Sequence, residues 1–214
     1  MRLLLLLTFL QLTTQFQPPR PQPVSTILPT RESIQSASLK NGVFIKFENF
    51  GPSFKAEAFT TFGGSRPEIY LGYCEGFIRP TFKHGTIMHI DSMVVYKSRV
   101  EAARSRSRDQ GDSNFTIGSI FGIGLNLGLS CLAHVYDQLK PTVPLRCEFL
   151  AIDDDPEQHK TLVRYYRRLG LTDEKYVGDN IEDIPSRLVW GGRGTLFVGE
   201  VKTLLEKWHV KKIE

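Results

Sequence analysis

The sequence predicts an α+β fold, built as a single domain over residues 39–214. Four β-rich runs come before any convincing helix, and helix-like and strand-like segments alternate only after them. This order fits poorly with a doubly wound fold, in which strands and helices alternate throughout. The 214 residues are 41% hydrophobic and 23% charged, so size and composition permit a full hydrophobic core.

The four leading runs predict four strands, and the first two are expected to form a hairpin. Gly51-Pro52-Ser53 separates these two runs with residues that favour a tight turn. Pro80 is expected to end the third strand. The predicted strands cover residues 42–50, 54–62, 68–79 and 86–96.

Residues 97–114 are charged, rich in serine and poor in apolar side chains, so they predict a disordered insert. They hold the local basic cluster of a chain whose net charge is only +4. We favour a solvated loop over a polyanion site, because nucleic-acid binders usually collect their basic residues on one face. No nucleic-acid partner is therefore predicted. The cluster consists of Lys97, Arg99, Arg104, Arg106 and Arg108.

The second half of the chain predicts alternating helices and strands. Apolar residues spaced by four, three and four predict a helix over 125–139, which Pro141 and Pro144 stop. Gly170 is well placed as the C-terminal cap of a helix over 157–168. The other predicted elements are a buried strand 145–152, a short strand 175–178, an apolar run 187–198 and a terminal helix 200–208.

Two further features concern buried side chains. Trp190 precedes Gly191-Gly192 and is expected to pack in a strand with a bulge, although it could instead line a pocket. Cys74, Cys131 and Cys147 are odd in number and show no CxxC spacing, so they predict buried free thiols rather than disulfides or a metal site.

Residues 1–38 predict a targeting segment that is not part of the fold. Met1-Arg2 precedes a short apolar run over 3–10, which matches a signal peptide and is too short to span a membrane. Residues 16–40 are rich in Pro, Ser and Thr and poor in acids, as transit peptides are. Together they resemble a bipartite plastid-targeting presequence. Secretion is the alternative localisation, and no other segment is predicted to span a membrane.

The stretch 118–128 contains four glycines and runs into an apolar helical segment. A glycine-rich turn at a helix start exposes backbone N–H groups at the positive end of the helix dipole, which suits a phosphate or pyrophosphate. A tight turn required only by packing is the alternative. A P-loop is excluded because no GK[ST] follows, and the full G-x-G-x-x-G pattern is absent.

The order of these elements resembles the GNAT (Gcn5-related N-acetyltransferase) superfamily over roughly residues 85–200. Gly122-x-Gly124 matches the glycines of that family's R/Q-x-x-G-x-G/A loop, with Ser119 where Arg or Gln is usual. Residues 162–171 resemble its closing Y-x-x-x-G-[FL] signature. The resemblance implies a mixed, mostly antiparallel central sheet with flanking helices and acetyl-CoA as co-substrate. It implies no metal.

The resemblance also assigns site residues. The backbone of a splayed central strand would bind the pantetheine arm, the glycine loop would bind the pyrophosphate, and His159 lies near a further CoA contact. Tyr166, four residues before Gly170, would protonate the leaving thiolate, while Tyr165 is expected to face elsewhere. The implied CoA-binding residues are Val94, Val95, Ser119, Ile120, Phe121, Gly122, Ile123, Gly124, Leu125 and His159.

The acceptor side is less defined by the sequence. An amine must lose a proton before it attacks a thioester, and Asp91, His89 and Glu75 are the candidate bases. The predicted function is direct transfer of an acetyl or short acyl group from acyl-CoA to an amine on a small molecule or protein, without stable membrane insertion. The alternative is a catalytically silent module that binds CoA or a partner.

Overall fold

A computed structural model of the protein describes residues 28–61, 68–109 and 119–210. Within these ranges the chain forms a seven-stranded sheet in the order β1-β2-β3-β4-β5-β7-β6, flanked by helices. The β4–β5 pair is parallel and the other neighbouring pairs are antiparallel. The predicted α+β class, with a mixed and mostly antiparallel sheet, is confirmed.

The strands of this sheet are β1 (Val43–Phe50), β2 (Ser53–Thr60), β3 (Tyr70–Thr81), β4 (Gly85–Val95), β5 (Arg146–Ile152), β6 (Thr172–Val177) and β7 (Gly194–Glu200). The helices are α1 (Arg31–Leu39), α2 (Lys97–Asp109), α3 (Ile120–Leu139), α4 (Pro156–Leu169), α5 (Ile184–Trp190) and α6 (Val201–Val210). The four leading strands, the β1–β2 hairpin and the terminal helix match the sequence prediction. Strand β3 continues through Pro80 to Thr81, at the end of its pairing with β4.

Helix α1 corrects the prediction that residues 1–38 lie outside the fold. Thr30 caps the helix by accepting a hydrogen bond from the amide of Ser33, and Ile34 is buried at 3% exposure. The Gln35 side chain accepts a hydrogen bond from the amide of Ile45 on β1. Residues 28–38 therefore belong to the domain, because they cover one end of its core. The targeting prediction for residues 1–27 lies outside the described residues.

Helix α2 corrects the prediction of a disordered insert over 97–114. Lys97–Asp109 is helical, and Val100 and Ala103 are fully buried in the core. Arg99 lies over the rings of Tyr96 and Tyr70, at 4.4 and 5.5 Å from their centroids. These few contacts anchor a helix whose remaining residues are mostly charged. Residues 110–114 lie outside the described residues.

Helix α3 begins five residues earlier than predicted. Ser119 is its N-cap, so Gly122 and Gly124 lie inside the first two turns rather than in a loop, while Gly118 lies outside the described residues. The helix is also long and apolar enough to cross a membrane, which the sequence prediction had excluded for this segment. However, 67% of this apolar stretch is buried inside the protein, as expected for a helix at the centre of the core.

Helix α5 corrects the prediction that the run 187–198 starts as a strand. Trp190 ends a short helix, and Gly191 caps it in the left-handed conformation at φ +69°. Strand β7 then starts at Gly194. A glycine is favoured at the cap because a side chain would strain this backbone.

The two faces of the sheet differ in composition. One face, here called the helix face, carries the hydrophobic core and packs against α1, α3, α4 and α6. Alternate residues of β1–β3 point to the other face, here called the second face. There, Lys46, Glu48, Lys55, Glu57 and Glu75 form a cross-strand ladder of ion pairs.

Candidate functional site

Strands β4 and β5 separate halfway along their length. They pair from Ile87 with Arg146 to Ile90 with Phe149. Beyond that point β4 continues to Val95 against β3, and β5 continues to Ile152 against β7. Each strand thus follows its outer neighbour, and the sheet opens between them.

A bulge in β4 marks the start of this opening. Ile90 pairs with Gly76 and Ser92 pairs with Glu75, so Asp91 is an extra residue in β4. A bulge of this kind bends the strand and redirects its side chains and amides. Asp91 consequently lies at the opening, with its side chain 57% exposed.

The N-terminus of α3 lies beside the end of β4. The Ser119 hydroxyl accepts a hydrogen bond from the Gly122 amide at 3.0 Å, and the Ser119 carbonyl accepts one from the Ile123 amide. The amides of Ile120 and Phe121 have no partner within the helix. The first turn contains no acidic side chain. These amides and the helix dipole favour an anion at this position.

Tyr165 closes the space between α3, α4 and β4. Its hydroxyl lies 2.7 Å from where a Cβ at Gly124 would be, and a Val95 methyl lies 3.6 Å from the same point. The hydroxyl donates to the sulfur of Met93 at 3.7 Å. Glycine at 124 leaves the space that the Tyr165 hydroxyl occupies. The structure brings Val95, Gly124 and the predicted bystander Tyr165 together.

Tyr166, the predicted acid, lies deeper in the core. It is 6% exposed, and its ring packs at 5.4 Å against both Phe149 and Phe197. Burial raises the pKa of both Tyr165 and Tyr166, so both phenols keep their proton at neutral pH. A signal for this placement was available, because Leu162, Tyr166 and Leu169 follow the i, i+4, i+7 spacing of a buried helix stripe.

The remaining predicted CoA contacts are divided between two places. Val94 and Val95 lie on β4 beyond its pairing with β5, and residues 119–125 form the start of α3, which approaches Val95 at Gly124. His159 instead contacts the β5–β7 side, where its Nε2 lies 3.1 Å from the Thr195 hydroxyl and its Nδ1 lies 3.7 Å from Asp153. The described contacts therefore hold His159 to β7 and the loop after β5, and not to the first turn of α3.

His89 is held in an aromatic sandwich on the second face. It is fully buried between Phe77 and Trp190, with ring centroids at 4.5 and 3.9 Å. Neither ring nitrogen has a hydrogen-bond partner, and Nε2 lies 4.0 Å from the nearer carboxylate oxygen of Asp91. Desolvation, with a smaller contribution from the charge of Arg79, lowers the pKa of His89 to about 4. The ring is neutral at physiological pH.

Trp190 and Phe77 were not identified as site residues from the sequence. Trp190 reaches His89 because α5 lies over the second face, and nothing in the local pattern around Trp190 predicts which strand it meets. Glu75, a third candidate base, lies on β3 opposite Ser92 and forms an ion pair with Lys55 at 3.6 Å. In the part of the chain that the structure describes, no cluster of three or more His, Cys, Asp or Glu side chains could hold a metal ion.

No protein-family model matches the chain, and no curated protein matches it. Among solved structures, it is similar to a protein from Desulfovibrio desulfuricans described as an acetyltransferase of the GNAT family, with 14% identity, a TM-score of 0.41, and coverage of 70% of this chain and 69% of that one. It is also similar to a chain of the KacTA–DNA complex, with 15% identity, a TM-score of 0.43 and 76% of each chain covered. Neither likeness assigns an activity to this chain.

Proposed function

We propose that this protein is a GNAT-type acyltransferase that moves an acetyl or short acyl group from acyl-CoA directly to an amine. The observation that carries the proposal is the opening between β4 and β5, which starts at the Asp91 bulge. A strand edge that has lost its neighbour presents unpaired amides and carbonyls, to which an extended pantetheine arm can bind as an added strand.

The residues around the opening suit acyl-CoA. The backbone at Val94 and Val95 would hold the pantetheine arm, and the free amides at the start of α3 would hold the pyrophosphate. A first turn without acidic side chains agrees with such an anion. The bound acyl-CoA supplies the activated thioester.

The chain's own residues would then polarise the thioester, take a proton from the amine and give one to the departing sulfur. Amides at the bulge can polarise the thioester carbonyl, because a bulge leaves strand N–H groups without ladder partners. Asp91 lies at the same point and can accept the proton of the attacking amine, whereas His89, with a pKa of about 4, is a weak base. Tyr165, whose hydroxyl reaches Met93 on β4 and Gly124 on α3, is better placed than the buried Tyr166 to donate a proton to the departing sulfur.

A pair of tyrosine variants tests this assignment. Tyr165→Phe should lower the rate of acetyl transfer by about 10²-fold with the fold intact, since loss of a general acid costs 10²–10⁴-fold. Tyr166→Phe is the matched control and should retain the rate, because its ring continues to pack on Phe149 and Phe197. A large loss of rate in Tyr166→Phe but not in Tyr165→Phe would show that Tyr166 is the general acid. Absence of transfer by the unmodified protein to any amine would contradict the enzyme.

A catalytically silent module is the second candidate, and one observation favours it. The Tyr165 hydroxyl fills the space against Gly124, and a nearby apolar cavity, lined among others by Met93, Leu125 and Phe149, measures about 20 Å³. That volume holds roughly one water molecule. A silent module would bind acyl-CoA or a partner without turnover, whereas an enzyme requires Tyr165 to move aside when acyl-CoA enters.

A further inference from the structure

A pocket of about 290 Å³ opens on the second face beside the β4 bulge. The β1–β2 hairpin forms one wall with Phe50 and Lys55, and β3 and β4 form the other with Glu75, Phe77 and Asp91. The pocket thus shares Asp91 with the start of the β4–β5 opening. Its lining combines aromatic rings with carboxylates, which is the chemistry that attracts organic cations.

The charge of the lining is negative. Lys55 offsets one carboxylate, since its ammonium lies 3.6 Å from Glu75 and 3.5 Å from Glu57. Among the described ion pairs, no lysine or arginine is paired with Asp91. The partner at 4.0 Å is the Nε2 atom of His89. Because the His89 ring is neutral at physiological pH, the carboxylate of Asp91 is left uncompensated at the pocket.

The same surface already holds one ammonium group of the chain itself. Besides its two carboxylate partners, the Lys55 ammonium lies 5.0 Å from the centroid of the Tyr73 ring. Phe50 is 65% exposed at the rim, and Phe77 lies on the other wall, stacked on His89. Apolar rings next to an unpaired carboxylate can bind a second ammonium together with the carbon chain that carries it.

His89 does not line the pocket itself, but its ring stacks on Phe77, which does, and its Nε2 lies 4.0 Å from Asp91. A fully buried ring with two unpartnered nitrogens is rare in proteins, because each unsatisfied polar atom costs free energy. The 4.0 Å gap between His89 Nε2 and Asp91 is too long for a hydrogen bond. An N–H or O–H group placed at Asp91 could hydrogen-bond to both side chains.

We propose that this pocket binds a primary alkylammonium ion, with its charge at Asp91 and its carbon chain between Phe50 and Phe77. In the proposed function this ion is the acceptor, so the inference rests on that function for the role of the ligand. The binding itself is a separate property of the pocket. It assigns the substrate class as a small cationic amine with an apolar stem.

Titration of n-hexylamine, followed by NMR on the ¹⁵N-labelled protein at pH 7 without CoA, tests this inference. We expect shifts of amides in the β1–β2 turn and around Asp91, and at least about fivefold weaker binding by Asp91→Asn. Removal of one charge partner at a partly exposed site costs about 1 kcal/mol, which corresponds to that factor. Asp179→Asn, an exposed carboxylate outside the pocket, is the matched control and should bind like the unmodified protein.

The outcomes separate this inference from the proposed function. Equal binding of n-hexylamine and 1-hexanol, or equal binding by the protein and Asp91→Asn, would overturn the pocket assignment. Phe50→Ser should weaken hexylamine binding without unfolding the protein, because Phe50 is exposed.

Amine binding at the pocket in a protein that does not bind acetyl-CoA would support the pocket assignment and contradict the proposed transferase activity. Acetyl transfer to amines that leave these amides unshifted would contradict the pocket alone.

Discussion

At the scale of single residues, burial of His89 makes the free energy of unfolding depend on pH. Its ordinary pKa of 6.5 falls to about 4 in the folded protein. Between these values the unfolded chain binds a proton that the native ring does not, so the free energy of unfolding rises with pH across this window. The difference between these two pKa values corresponds to about 3 kcal/mol of the free energy of unfolding. This stability is lost as the pH falls from about 6.5 to about 4.

We therefore predict that His89→Phe flattens this pH dependence. Urea unfolding measured between pH 4 and 7.5 should show a smaller fall in stability on acidification than the unmodified protein shows. Phenylalanine keeps a ring between Phe77 and Trp190 and does not titrate. His84→Asn, at an exposed histidine, is the control variant. An identical profile for His89→Phe would show that His89 is not the titrating group.

Gly124 and Tyr165 should be energetically coupled. An alanine at 124 places its Cβ 2.7 Å from the Tyr165 hydroxyl, whereas glycine to alanine in an open helix position gains about 0.5–1 kcal/mol. We predict that Gly124→Ala is at least about 1 kcal/mol more favourable in a Tyr165→Phe background. A double-mutant cycle by chemical denaturation measures the coupling. Additive effects would mean that Tyr165 does not occupy this position in solution.

At the scale of elements, α1 is the clearest addition to what the sequence indicated. Proline-rich, acid-poor composition continues through residue 29 and masks the short helix that follows. We predict that Ile34→Ala lowers the free energy of unfolding by about 2–5 kcal/mol, as expected for a buried isoleucine. Lys40→Ala, at the exposed end of α1, is the control. A protein starting at residue 41 that is as stable as one starting at residue 28 would contradict the role of α1.

The strands were easier to predict than the helices, for a physical reason. In β2 the buried Phe54, Ala56 and Ala58 alternate with polar residues, and this period of two is visible in the sequence. Helix α2 buries only Val100, Ala103 and Ser107, so its apolar stripe is too sparse to outweigh its charge. Helix α5 buries none of its residues, and its sequence therefore carries no periodic signal.

The site was predictable where it depends on one strand and less so where it depends on packing between elements. The β4 strand was identified from its own residues, including Asp91 and His89. Strand pairing decides the bulge at Asp91, and helix rotation decides that Tyr165 rather than Tyr166 meets Gly124. Neither the register nor the rotation can be obtained from a local pattern.

At the scale of the whole molecule, the sheet separates two kinds of chemistry. The helix face carries the apolar core and the start of α3, where backbone amides suit an anion. The second face carries the carboxylate and aromatic pocket beside Asp91, which suits a cation. In the proposed function, an anionic acyl donor on the α3 side and a cationic acceptor at Asp91 meet at the point where β4 and β5 separate.

Acyl-CoA should bind at the opening with its pyrophosphate on α3, and calorimetric titration of acetyl-CoA tests this binding mode. Gly122→Glu is the informative variant. A glutamate there completes a capping box with Ser119, so it should support folding while repelling a pyrophosphate. Gly122→Ala is the uncharged control. We predict micromolar binding by the protein and by Gly122→Ala, and at least tenfold weaker binding by Gly122→Glu. No binding by the folded protein, or equal binding by all three proteins, would contradict this binding mode.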